Sequence, residues 1–290
     1  MLAAEQLRIE DRWPEIFQLL GSSSLADPEK AVRLVAYLRN ACPEIADRLQ
    51  IGAMTRDDSE RYLAELEQRS FAIHSLARRF AAIHSNVEER FVQTFPDFRP
   101  SRTTVYLTVS RFHFDGKVPH DHWNSLLFAF DGVAKFHGGN APVAVIFCHE
   151  LFHLYHFQIS PPPVDPDQVP LYRLIWQEGL ACYVSRLLNP SAPFGDILFD
   201  PRLAAEGPKF VRSVSGQLLR DLQSTDDVET AEYLTYRTTG ATPPRMGYLI
   251  GYQIVANLAT QHSLAELVHL RDPELRFIMR REVRRLAEQP

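Results

Sequence analysis

His149, Glu150 and His153 fall within one run of five residues, His149-Glu150-Leu151-Phe152-His153. Four residues apart on an α-helix, the two imidazoles share a face one turn above the other, where their nitrogens can converge on a single cation. Zinc accepts such a pair. Glu150, rotated by one residue, then flanks the metal as a general base for water instead of binding it. With 11 histidines in 290 residues, a His-Glu-x-x-His string is expected by chance only about 0.03 times in such a chain, so its presence carries information.

The neighbouring residues indicate where this helix sits. Val143-Ala144-Val145-Ile146-Phe147-Cys148 before it, and Leu151, Phe152 and Leu154 within it, mark a helix buried on most sides, and polar groups in such a helix need partners. A third ligand is expected on the following helix, about Leu171 to Leu188, where Glu178 shares a stripe with Leu171, Leu174, Ile175 and Cys182. The adjacent Gly179 costs about 1 kcal/mol against alanine inside a helix, which close approach of another helix would explain. His149, His153 and Glu178 as three protein ligands leave a fourth position for water, the open arrangement of catalytic zinc. The alternative for Glu178 is a buried salt bridge to Arg173, Arg186 or Arg245. His156 lies on the same face one turn beyond His153 and is an alternative ligand. A packing role is preferred for it, because a His153/His156 pair would strand Glu150 away from the metal. A second polar group, His113, Asp115, His120, Asp121 and His122, falls in expected turns between strands, where such residues are ordinary.

The elements that must hold these residues are mostly helical. Asp27-Pro28-Glu29 reads as an N-cap, a proline and an acidic first turn, and a longer helical pattern from about Asp57 to Val92 carries Tyr62, Leu63, Leu66, Phe71, Ile73, Leu76, Phe80 and Ile83. The period then changes. Thr103 to Val109 and Ser125 to Phe130 are rich in β-branched and aromatic residues and predict two strands of a small sheet. Asn140-Ala141-Pro142 starts the histidine-bearing helix, which should run to about Gln158, and the proline-rich stretch Ser160 to Pro170 forms a stiff connection. Further helices are expected near Pro208 to Gln223, Arg245 to Thr260, Ser263 to Leu270 and Pro273 to Ala287, with Ser263 and Glu266 as a capping box and Asp272-Pro273-Glu274 repeating the start seen at Asp27. The expected class is α+β, mainly α, with a small sheet before the active-site helix. Residues 1–100 would form a helical region and residues 101–290 the domain that carries the site.

Composition narrows the partners. With 31 basic against 36 acidic side chains, no global positive field exists to hold a phosphate backbone, and nucleic acid is not expected as a partner. No stretch approaches the roughly 18 apolar residues of a membrane span, and no leader pattern opens the chain. Cys42, Cys148 and Cys182 are an odd number at unrelated spacings, which fits a reducing cytoplasm.

Taken together, His149-Glu150-Leu151-Phe152-His153 with Trp176-Gln177-Glu178-Gly179-Leu180-Ala181 resembles the gluzincin clan of zinc metallopeptidases. Within it, the chain is most similar to predicted zinc-dependent proteases of uncharacterised bacterial families that share an EGxA helix and a later GYxxGY-like helix, here Gly247-Tyr248-Leu249-Ile250-Gly251-Tyr252. The specific part of the resemblance covers about Ser125 to Leu258. It implies a zincin-like fold and Zn2+ as cofactor, with water activated by Glu150 for attack on a carbonyl. It also implies an oxyanion donor, for which Tyr248 is the first candidate and Tyr252 or Arg245 the substitutes. An extended peptide would lie against the edge strand before the active-site helix, Ser125 to Asp131 or its neighbour. The expected substrate is a peptide or a small amide or ester. The remaining alternative is a binding or regulatory protein in which the metal is a structural staple.

Overall fold

A computed structural model of the chain describes residues 6–23, 26–119, 124–161, 168–236 and 241–289. The chain folds as two compact units, Met1–Phe147 and Cys148–Pro290. The border between these units falls inside the histidine-bearing helix.

The first unit holds strands β1 (Arg8–Asp11), β2 (Thr104–Thr108), β3 (Gly116–Lys117) and β4 (Ser125–Ala129), together with helices α1 (Trp13–Leu20), α2 (Asp27–Ala41), α3 (Pro43–Ala46), α4 (Arg56–Thr94) and α5 (Phe130–His137). The sheet order is β1-β2-β4-β3. β1 runs parallel to β2 with Ile9 opposite Val105, β2 runs parallel to β4 with Leu107 opposite Phe128, and β3 is antiparallel to β4. Two expectations change here. The first hundred residues are not all helix, because they supply β1, a charged and partly exposed edge strand of the kind that resists further pairing. Nor is Ser125 to Asp131 an edge. β4 is flanked on both sides, the edges being β1 and the two-residue β3, and Phe130 onward turns into α5.

α4 spans 39 residues, about 58 Å at 1.5 Å per residue. It is launched by a capping box in which the Thr55 side chain accepts from Asp58 N and the Asp58 carboxylate accepts from Thr55 N. Tyr62, Leu63, Leu66, Ile73, Leu76 and Phe80 are buried as the helical period requires, but Phe71 is 83% exposed, displaced from the apolar stripe. Phe80 packs against Phe128, Phe130 and Phe147 at centroid distances of 5.3, 5.8 and 4.8 Å, so the core of this unit lies between α4 and the sheet. The buried Asp131 carboxylate ties the loop after β2 to α5, accepting from Ser110 N at 2.9 Å, Phe112 N at 3.1 Å and the Tyr62 hydroxyl at 3.1 Å.

α6 (Val143–Ile159) crosses the border between units and continues in the second, followed by α7 (Leu171–Leu188), α8 (Phe194–Ile197), α9 (Pro201–Glu206), α10 (Val211–Asp221), α11 (Asp227–Leu234), α12 (Met246–Leu258), α13 (Leu264–Val268) and α14 (Glu274–Glu288). α7 packs along α12, and α10 along α14. A Cβ built on Gly179 of α7 would stand 2.3 Å from the carbonyl carbon of Gly251 on α12, and one built on Gly251 would stand 2.4 Å from the carbonyl oxygen of Ile175. The two backbones touch at paired glycines, which is the close approach that Gly179 implies.

Starts differ by one residue from the sequence pattern. The N-cap of α2 is Ala26, with Asp27 and Pro28 at its first two positions, and α14 is capped at Pro273, while Asp272 accepts from the Tyr172 hydroxyl at 2.8 Å. The Ser263/Glu266 capping box forms as the spacing predicts. The architecture is thus mainly helical with one small mixed sheet, an α+β arrangement. Among the described residues no helix is long and apolar enough to cross a membrane.

Candidate metal centre

α6 begins at the Ala141-Pro142 step, where Val145 N and Ile146 N donate to Pro142 O at 2.9 and 3.1 Å. From there its residues are buried on nearly every side. His149 and His153 are buried one turn apart, and Glu178 reaches them from α7. His149 Nε2 lies 3.2 Å from Glu178 Oε2, His153 Nε2 lies 3.0 Å from His149 Nε2, and His153 Nε2 lies 3.5 Å from the same carboxylate oxygen. One atom from each of these three side chains therefore forms a closed triangle, and among the described residues they are the one group of three or more donors that could hold a metal ion.

The triangle has the size a metal needs. Zinc bonds of about 2.0–2.1 Å in tetrahedral geometry place any two donors about 3.3 Å apart, and the three observed edges bracket that value. Hydrogen bonds could satisfy these atoms only pairwise, whereas a cation satisfies all three together. The protonation states agree as well. Burial pulls His149 down to about 4, leaving a neutral imidazole at pH 7. Burial pushes the Glu178 carboxyl up, but the neighbouring His153 and His149 outweigh it and hold the group well below the usual range, as a carboxylate. Neutral imidazole and ionised carboxylate are the forms that bind metal. Cys182, one turn after Glu178, is driven up by burial and remains a thiol, so it offers no thiolate to the centre.

The salt bridges considered for Glu178 are not made. Arg173 donates to Pro161 O at 2.9 Å, Arg186 to Ala192 O, and Arg245 to the Tyr236 hydroxyl at 2.8 Å. His156 is not part of the triangle. It stacks on Phe152 at 5.5 Å and 19°, both of its buried ring nitrogens lack a partner among the described residues, and burial takes its pKa down to about 3. Glu150 is half-buried, one residue beyond the first ligand.

Around His149 the structure assembles a polar and aromatic wall. The Tyr248 ring lies parallel to the His149 ring at 6.2 Å and 11°, and the Phe199 ring meets it edge-on at 4.9 Å. Arg245 stands at the N-cap of α12 with φ 59°, is only 6% exposed, and places its guanidinium 3.8 Å from the centroid of Tyr248, 4.9 Å from that of Tyr236 and 5.5 Å from that of Phe199. Burial, with Glu178 nearby, raises the Tyr248 phenol well above its ordinary value, so it stays protonated and able to donate. Tyr252 packs instead against Tyr183 and Phe194. Of the three oxyanion candidates, Tyr248 is therefore the one in ring contact with His149.

Phe199 and Tyr236 belong to this wall without any motif in the sequence to mark them. The readable signal near Phe199 is Asp200-Pro201, a cap and proline, since Asp200 Oδ1 accepts from Arg202 N and Leu203 N at 2.8 and 3.0 Å and starts α9. Of the second polar group, Asp115 pairs with His137 at 2.5 Å and His113 is exposed beside Arg111 and Lys135, so neither joins a metal group. His120, Asp121 and His122 lie outside the described residues, as do residues 162–167 of the proline-rich connection.

Comparison of the chain with protein-family models, with curated proteins and with solved structures found no match.

Proposed function

We propose that this chain is a zinc-dependent hydrolase of the zincin type, acting on a peptide bond. The observation that carries the reading is the triangle of His149 Nε2, His153 Nε2 and Glu178 Oε2 at metal-ligand spacing, with Glu150 one residue from the first ligand. A His2Glu donor set suits zinc, and zinc held there supplies Lewis acidity, which acidifies water and polarises a carbonyl.

The chain's own groups supply the rest. The Glu150 carboxylate takes the proton of the attacking water and returns it to the leaving amine. The Tyr248 hydroxyl donates to the developing oxyanion, and the half-buried rings of Phe199 and Tyr248 rest against His149 and hold its plane. Among the described residues three donors and not four come together, since His156, the candidate fourth ligand, stacks on Phe152, and that supports an open catalytic site over a structural staple. A small amide or ester is served by the same groups.

The test is metal content by mass spectrometry on purified wild type, Glu150→Gln and Glu178→Ala, with hydrolysis of a mixed peptide library followed in parallel. The expected result is about one zinc in wild type and in Glu150→Gln, turnover reduced by about 10²–10⁴ in Glu150→Gln, and loss of zinc in Glu178→Ala. Wild type without stoichiometric metal would overturn the proposal.

A further inference from the structure

The charge of Arg245 has no counter-ion among the described residues. It is 6% exposed, yet its hydrogen-bond partner is the Tyr236 hydroxyl, the ring it covers is that of Tyr248, and no carboxylate of the described residues forms an ion pair with it. A buried cation in this state is costly unless an anion meets it. The position makes matters worse. Arg245 is the N-cap of α12, where the unsatisfied N–H groups already make the helix end positive, and its backbone is in the left-handed region that non-glycine residues avoid.

The carboxylate whose charge does reach it is Glu178, and that charge is committed to the metal site. With a divalent cation in place, the Glu178 carboxylate would be taken up by the ion, leaving no carboxylate of the described residues to offset Arg245. Arg245 is then the unbalanced positive charge beside the centre. It is also held in place, because the rings of Tyr248, Tyr236 and Phe199 flank it and it donates to the Tyr236 hydroxyl. A guanidinium fixed in this way presents a rigid fork of N–H donors, the geometry that binds a carboxylate through two parallel hydrogen bonds.

We propose that Arg245 is a substrate-binding residue, and that the substrate is an amide or short peptide carrying a free carboxylate close to the scissile bond. This deepens the hydrolase reading and rests on it for the word substrate, but the carboxylate site itself is a statement about equilibrium binding.

The experiment is calorimetric titration of the zinc-loaded protein with N-acetyl-L-phenylalanine and with its carboxamide, probes that differ in charge at one end and carry a ring to suit Phe199 and Tyr236. Wild type should bind the carboxylate at least about 30-fold more tightly than the amide, the scale expected when one partner of a buried charge pair is removed. Arg245→Met should erase that preference while keeping its zinc, and Arg245→Lys should retain only part of it, because an ammonium keeps the charge without the fork. If Arg245→Met fails to fold by circular dichroism, Arg245→Lys carries the test, with a preference reduced by at least about tenfold. No discrimination in wild type, or a preference undiminished in the folded variant, overturns the proposal, the second outcome assigning the carboxylate to the metal. The two readings fail separately. A protein that prefers the carboxylate through Arg245 but hydrolyses nothing refutes the hydrolase alone, and one that hydrolyses peptides without the preference refutes the Arg245 site alone.

Discussion

Replacing Gly179 with alanine tests whether the glycine contact between α7 and α12 positions the metal centre. The added Cβ would stand 2.3 Å from the Gly251 carbonyl carbon, 2.5 Å from its oxygen and 2.7 Å from its α-carbon. All three are backbone atoms, which cannot rotate aside as a side chain would. Carbon atoms rest at about 3.5–4.0 Å, so the helices must part by more than about 1 Å. Overpacking of this kind costs about 1–3 kcal/mol, with the upper end expected where backbone meets backbone, while alanine regains about 1 kcal/mol of helix propensity. The net expectation is a loss of about 2 kcal/mol, read as a lower urea midpoint. Because Gly179 directly follows Glu178, the displacement also moves the third ligand relative to His149 and His153, and zinc affinity should fall with stability. Gly251→Ala strikes the same contact from the other side, at 2.4 Å from Ile175 O, and the two substitutions should not add. A Gly179→Ala protein as stable as wild type, with unchanged zinc affinity, would refute the reasoning.

Tyr248→Phe should keep one zinc and lower kcat by about 10²–10³ with little change in KM, as expected for loss of a donor used mainly in the transition state; an unchanged kcat would remove Tyr248 from the reaction. His156→Phe removes two buried ring nitrogens that lack partners among the described residues while keeping a ring stacked on Phe152, so denaturant unfolding should show a gain of about 1–2 kcal/mol. The same variant has a pH signature. His156 titrates at about 3 in the folded chain against about 6.5 when unfolded, so its contribution is full above pH 6.5 and is lost by up to about 1.4 kcal/mol per unit as pH falls toward 3. The phenylalanine variant should show a correspondingly shallower loss between those limits. Phe199→Gly should leave stability within about 1 kcal/mol of wild type, because relief at a left-handed position offsets lost ring contact, yet zinc affinity should drop about tenfold as His149 loses one of its supports.

The grouping of His149, His153 and Glu178 is legible because each of them leaves its own mark in one dimension. His149 and His153 are joined by helical spacing alone, and the apolar residues around them require burial and hence a partner. Glu178 is visible as a carboxylate on an apolar stripe, and Gly179 as a helix breaker in a strong helix, whose bounds Leu171–Leu188 the pattern also supplies. Long periodic elements such as α4 are equally clear. Elements of about two turns or fewer are not, because α8, α9 and α11 offer too few periods to read. β1 is hidden for another reason. Arg8-Ile9-Glu10-Asp11 lacks the apolar content of a strand, since an edge strand buries little, and its partner β2 lies almost a hundred residues away. Phe71 shows the opposite failure, an apolar residue at helical spacing that the core does not use.

The wall around His149 depends on two residues that local rules would not place there. Phe199 N donates to Asp196 O and Asp200 N to Gly195 O at 3.2 and 2.9 Å, a helix-ending motif for α8 whose left-handed position normally takes glycine. Here φ is 54° and the residue is phenylalanine. Arg245 occupies another left-handed position of this unit, at a helix start where Ser, Thr, Asp or Asn would cap and where a cation is disfavoured. Each residue costs about 1–2 kcal/mol in backbone strain, and each serves the same neighbourhood: the Phe199 ring rests edge-on against His149, and the Arg245 guanidinium covers the Tyr248 ring that faces His149 from the other helix. Backbone preference alone would place glycine at both positions. That both strained positions converge on His149 is the pattern expected where geometry is held for chemistry against local preference.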